Sequence, residues 1–308
     1  LSSQAGAQAP AIPAGRMSDF FQLLVAGLAT GAIYALVAIG FTLLWQTSQT
    51  INFAQGEFVM LPAFFVLTGM GYFHQPFWVA VVGALVVSIL LLGVLFKRLM
   101  VDPMIRHGVL PLVIATIALA LLIKEGVREL YSPEAQGFPS LAAATNVSIF
   151  GVGFALQSLV VLLITGAAVG GLQFFLNGTR TGRRMQATAQ NPTVARLLGI
   201  QVERMILYTF LINAALVALA SVLVTPIYLA KFSNGEWLGL YAFIAAIVGG
   251  FNQVRGAIVG GLLLGVVDNF AAAYLSAQYR LAMPLLILIV VILFRPQGLL
   301  GRLEERTV

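Results

Sequence analysis

The chain has 308 residues, of which 60% are hydrophobic and only 9% charged, with a formal net charge of +6 and a mean hydropathy of +0.97. Soluble domains carry roughly 25% charged residues, so a soluble body of this length could not cover its own surface, and high hydrophobicity without any cysteine excludes disorder and a disulfide scaffold. Three lysines and fourteen arginines scattered along the chain make no patch for nucleic acid, which leaves an all-α polytopic membrane protein whose surroundings are the lipid bilayer.

In chain order, residues 1–16 are rich in Ala, Pro, Gly and Gln and lack the apolar core of a signal peptide. Met17 stands just before the first apolar run, so 1–17 reads as a flexible extension. A bilayer span needs about 20 apolar residues, roughly 30 Å at about 1.5 Å per residue. Apolar runs occur at 20–45, 53–73, 77–96, 109–123, 152–175, 205–229, 238–251, 255–275 and 282–294. Eight or nine membrane-crossing helices are expected, with short broken or re-entrant segments among them. The body then runs over 18–302, with a loop at 176–204 and a tail at 303–308.

Charge sets the orientation, because basic residues collect on the cytoplasmic side. Segments 97–108, 176–204, 252–255 and 295–308 hold Lys97, Arg98, Arg106, Arg180, Arg183, Arg184, Arg196, Arg204, Arg255, Arg295, Arg302 and Arg306. The other side keeps Arg16, Lys124, Arg128, Lys231 and Arg280. The C-terminus is therefore expected inside and the segment 124–151 outside. The N-terminus is outside with nine spans and inside with eight.

Without a hydrophobic drive between helices in lipid, small residues must give close contact. Gly27/Gly31, Gly166/Gly170, Gly256/Gly260 and Gly261/Gly265 have that spacing. The pentapeptide AIVGG occurs at 246–250 and again at 257–261. Two Gly-rich helices meeting at Phe251–Gly256 predict a tight hairpin, serving either general packing or a re-entrant element beside a path.

Some chemistry is missing. No lysine follows a glycine, so the chain has no GxxxxGK[ST] phosphate loop and no ATP hydrolysis by that route. His74 and His107 fall in loops on opposite sides, which argues against a histidine metal site, and no serine sits in a GxSxG elbow. No cofactor is expected. No arginine is expected in the apolar core, and no aromatic cluster with a charged partner is evident.

Three stretches carry polar chemistry. INFAQGEF at 51–58 puts Asn52, Gln55 and Glu57 at the start of the second run, either as an Asn52-capped helix start or as the lining of a gate. Asp268, followed by Asn269 in an apolar helix, must face protein or water, either anchoring helices by hydrogen bonds or lining a path. In the third, Asn191-Pro192 followed by Gly199 supplies an N-cap, a tolerated first-turn proline and a positive-φ stop. That predicts a short helix over about 192–198, with Ala195 on its surface. Its apolar side (Leu197, Leu198, Ile200) fits either the membrane surface or a partner's groove.

INFAQGEF, ATAQNPTVARLLGI, GLYAFIAAIVGGFNQVRGAIVGGLLLG and FRPQGLLGR, in this order from about Phe20 to Arg302, resemble the membrane permease subunits of branched-chain amino acid ABC importers. The resemblance implies a second homologous permease, two cytoplasmic ATPase subunits, a periplasmic solute-binding protein and a bacterial inner membrane. Related permeases with these motifs serve urea, short amides and other amino acids. A translocation path is expected near Asn52, Gln55, Glu57, Gly249, Gly250, Gly256 and Asp268. ATPase coupling would fall to Asn191, Pro192, Ala195, Arg196, Leu198 and Gly199. The competing class is a stand-alone secondary transporter or channel, but Glu57 and Asp268 do not form the repeat-related pair such carriers use.

Overall fold

A computed structural model describes residues 14–105, 107–142, 145–149, 152–275 and 277–301. Residues 1–13 of the expected extension, the tail 303–308, and the basic residues Arg106 and Arg302 lie outside the described residues.

Backbone in lipid has to close its own hydrogen bonds, and each of the nine apolar runs holds a helix. In chain order the helices are α1 (Ala14–Ser48), α2 (Gln55–Gly71), α3 (Phe77–Ile105), α4 (Val109–Leu130), α5 (Leu156–Gly178), α6 (Arg180–Gln190), α7 (Pro192–Leu197), α8 (Val202–Tyr228), α9 (Asn234–Gly249), α10 (Val254–Tyr274) and α11 (Ala282–Phe294). Among the described residues, six are long and apolar enough to cross a bilayer: α1, α3, α4, α5, α8 and α10. Helices α2, α9 and α11 have 17, 16 and 13 residues, which at about 1.5 Å per residue falls short of roughly 30 Å.

Several boundaries differ from expectation, each for a local reason. Helix α1 begins at Ala14, ahead of Met17. Helix α3 continues past the expected end at 96 because Ile89–Leu95 and Lys97–Val101 are π-helical. The wider turn brings residues five apart together, so buried Lys97 Nζ reaches both Asp102 oxygens at 2.7 and 2.9 Å. Helix α4 runs on to Leu130 with Arg128 paired to Glu125 at 2.8 Å, shortening the expected loop. Residues 152–155, expected to open a span, instead form strand β2 (Val152–Ala155), antiparallel to β1 (Asn146–Ile149) with Asn146 opposite Ala155.

Helix α1 is the central post and packs along α10, α8 and α9, burying Ile33, Leu36, Val37, Ile39 and Leu44 completely. Its contact with α10 depends on two of the expected glycine pairs meeting each other. A Cβ on Gly265 would stand 2.1 Å from Gly31 N, and one on Gly31 would stand 2.7 Å from Gly261 O. Gly166 and Gly170 face open space instead.

Candidate functional site

The chain leaves the α1 helix after Ser48, and residues 49–54 are irregular before α2 begins at Gln55. Asn52 is not the helix cap. Its Oδ1 accepts from Ala54 N at 3.0 Å, and Ala54 occupies the cap position without a side-chain bond. Gln55 is completely buried, with Nε2 donating to Asn213 Oδ1 at 2.6 Å and Oε1 accepting from Asn213 Nδ2 at 3.1 Å. Asn52 Nδ2 also reaches Gln55 Oε1, at 3.4 Å. Irregular backbone is tolerated at this position because it is buried against protein and its polar groups are bonded.

Two positions beyond Gln55, Glu57 points elsewhere. Its carboxylate is buried against the first turn of α9, where a Cβ on Gly235 would meet Oε2 at 2.3 Å. Oε2 has no hydrogen-bond partner. A cavity of about 370 Å³ opens here between α1, α2, α4 and α9, walled by Phe41, Phe53, Ile117, Leu121, Leu240 and Phe243. Lys124 lines it too and is paired with Glu236. Gly56 and Gly239 let α2 and α9 touch backbone to backbone at the cavity's floor, with a Gly239 Cβ only 2.8 Å from Gly56 Cα. The expected polar stretch therefore divides: Asn52 and Gln55 bond with each other and with Asn213, and Glu57 lines the cavity.

Asp268 is 0% exposed and does not line that cavity. Arg280 chelates it, Nε to Oδ1 at 2.7 Å and Nη2 to Oδ2 at 2.7 Å, while Tyr34 donates to Oδ2 at 3.2 Å. Arg280 Nη2 also donates to Tyr228 Oη at 2.9 Å, and Tyr241 donates to the Arg280 carbonyl at 2.8 Å. Hydrogen bonding to Asp268 pushes the Arg280 pKa above its already high ordinary value. Tyr34, Tyr228, Trp237 and Tyr241 pack edge to face or tilted around this pair. The expectation of no arginine clamp and no charged aromatic cluster is thus corrected: Arg280, counted with the outer basic residues, folds back onto the α10 carboxylate.

The expected hairpin is present, with α9 and α10 joined at residues 250–253. A Cβ on Gly249 would lie 1.9 Å from Gly256 O, and one on Gly256 would lie 2.4 Å from Gly249 O. Gly250 adopts φ 111°, closed to other residues without strain. The FRPQGLLG segment straps this turn, Leu299 N donating to Val248 O at 2.8 Å and Leu300 N to Gly249 O at 3.0 Å. None of these three glycines lines the cavity.

The short arginine-flanked helix forms as expected, from Pro192 to Leu197. Asn191 Oδ1 accepts from both Thr193 N and Val194 N at 3.0 Å. Gly199 at φ 77° ends it, and Ile200 N closes back on Ala195 O at 3.0 Å. Ala195 is not on the surface: it is 2% exposed, whereas Leu197 and Leu198 are 82% and 74% exposed. Val194 is exposed beside them. Arg196 makes only a surface pair with Glu203 at 3.7 Å. Ahead of α7, α6 is capped by Thr179 and packs Gly182 on the end of α5.

Comparison with known proteins decides the family. The model of the branched-chain amino acid transport system permease component matches residues 23–292. The chain belongs to this permease family. It is 33% identical over 301 residues to the high-affinity branched-chain amino acid transport permease BraD of Pseudomonas aeruginosa, covering 94% of this chain and 98% of BraD. It is 32% identical over 306 residues to LivH of Escherichia coli, again covering 94% and 98%. A probable LivH of Methanocaldococcus jannaschii is 29% identical over 87% of this chain and 89% of its own. No solved structure gives a significant match. The permease is thus a multi-pass membrane transport subunit.

Proposed function

We propose that this permease is one half of the membrane channel of an ATP-driven importer for branched-chain, hydrophobic amino acids in a bacterial inner membrane. The observation that carries this reading is the end-to-end similarity to BraD and LivH, both named for that transport. ATP hydrolysis belongs to two cytoplasmic ATPase subunits, since no lysine here follows a glycine as a phosphate loop requires. A second homologous permease completes the channel, and a periplasmic binding protein delivers the solute. The loops rich in arginine face the cytoplasm together with the C-terminus. The three short helices, with the extended lead-in at 49–54, complete an eight- or nine-crossing topology.

Helix α7 is the ATPase coupling element. Asn191, Pro192 and Gly199 shape it, Ala195 seats it, and Val194, Leu197 and Leu198 offer an apolar knob flanked by Arg196. An apolar knob of this size outside any span fits a partner's groove. The path runs past Asn52, Gln55 and Glu57. Gly249, Gly250, Gly256 and Asp268 act on it indirectly, by holding the α9–α10 hairpin and its connection to α11.

Co-expression with candidate partners tests the assembly. Affinity capture of this chain should recover a second permease and two ATPases. Recovery of a transport-competent homo-oligomer of this chain alone would contradict the proposal.

A further inference from the structure

The cavity beside Glu57 has a feature the permease reading does not use. Glu57 is 3% exposed, and its Oε2 has no partner. A buried carboxylate without a cation is costly, and intramembrane charge marks function by default. Lys124, among the described residues the one cation lining the cavity, is already held by Glu236. Two carboxylates, Glu57 and Glu236, thus stand beside Lys124 in the cavity lining. The N-termini of α2 and α9 meet at Gly56 and Gly235 beside the carboxylate. The remaining wall is apolar and aromatic, and the volume of about 370 Å³ suits a small molecule.

We infer that this cavity is an ammonium-recognising subsite, taking a small hydrophobic solute with a primary ammonium group, Glu57 as its counter-ion and the wall of Phe41, Phe53, Leu240 and Phe243 around its apolar part. The inference rests on the permease reading and sharpens it. Urea, short amides and sugars carry no cation to satisfy Glu57, so the subsite discriminates against them. An amino acid presents its ammonium to Glu57 and its side chain to the apolar wall.

The test uses the complete transporter complex in detergent without its binding protein, with saturation-transfer NMR at millimolar ligand. The probes are leucine, 3-methylbutylamine (the same side chain with ammonium only) and 4-methylpentanoate (carboxylate only). Leucine and the amine should give saturable signals, about tenfold or more weaker in Glu57→Gln, and the carboxylate none. Ile117→Trp narrows the cavity without altering its charge and should weaken both ligands; it serves if Glu57→Gln fails to assemble. Equal binding of 4-methylpentanoate, or unchanged binding in both variants, overturns the subsite. If wild-type complex with its binding protein still imports leucine while the subsite fails these tests, only this inference falls. If it imports urea or a sugar and not leucine, the permease reading itself falls.

Discussion

Gln55 and Asn213 exchange amide hydrogen bonds in both directions, at 2.6 and 3.1 Å, although 158 positions separate them in the chain. The pair fixes the start of α2 against the middle of α8 beside Gly40 of α1, whose Cβ would overlap Asn213 Oδ1 at 2.0 Å. It fastens the irregular 49–54 segment, of which Thr50, Asn52 and Ala54 are buried. Asn213→Ala leaves a buried amide unpaired and should cost about 1–3 kcal/mol. A Gln55→Leu/Asn213→Leu double variant should lose less than the sum of the single changes. Thermal unfolding in detergent reads both, and strict additivity would show that the two amides do not act as a pair.

The Arg280–Asp268 clamp predicts an asymmetric mutant cycle. Arg280→Ala strands a fully buried carboxylate and should cost about 3 kcal/mol or more. Asp268→Asn in the same background should recover much of the loss, because the uncompensated charge is gone. No recovery in the double variant would assign the clamp's effect to side-chain packing.

Helix α7 separates docking from folding residue by residue. Leu197→Asp and Leu198→Asp alter exposed positions, so the permease should fold normally and lose ATPase subunits on purification. Ala195→Asp enters a buried site and should destabilise the permease before docking is tested. Asn191→Ala removes both cap bonds and should cost about 1 kcal/mol, with partial loss of ATPase recovery. Normal ATPase recovery in both leucine variants would remove α7 from the interface.

Substitution in the α9–α10 hairpin should act on folding. Gly249→Val and Gly256→Val drive a side chain into the facing backbone carbonyl, at the 1.9 and 2.4 Å approaches a Cβ alone would make. Membrane expression should fall sharply. Full expression with blocked transport would return these glycines to the path itself.

Much of this was legible in the sequence where local rules govern. Asn191, Pro192 and Gly199 each act within four residues, so the cap, first turn and stop of α7 could be read from spacing alone. The hairpin at 250–253 follows from the repeated AIVGG. Ala195 was misread because a six-residue helix shows no periodicity strong enough to tell its buried side from its exposed one. Asn213, Arg280, Tyr34 and Lys124 were missed for another reason: their partners lie far along the chain. Asn213 does stand alone as an amide in an apolar run, a signal that a polar partner must exist. Hydropathy also gives no helix lengths: α2, α9 and α11 are apolar runs like the six long helices but are bounded by irregular lead-ins and turns, which hydropathy does not register.

The most direct test of the transport role is ATP-dependent uptake in proteoliposomes holding this permease, its partner permease and two ATPases, with the binding protein supplied outside. Leucine, isoleucine or valine should accumulate in the lumen only when ATP, the binding protein and this chain are all present. Uptake that persists without ATP, or that runs undiminished when this chain is left out, would contradict the proposal that it forms half of an ATP-driven channel.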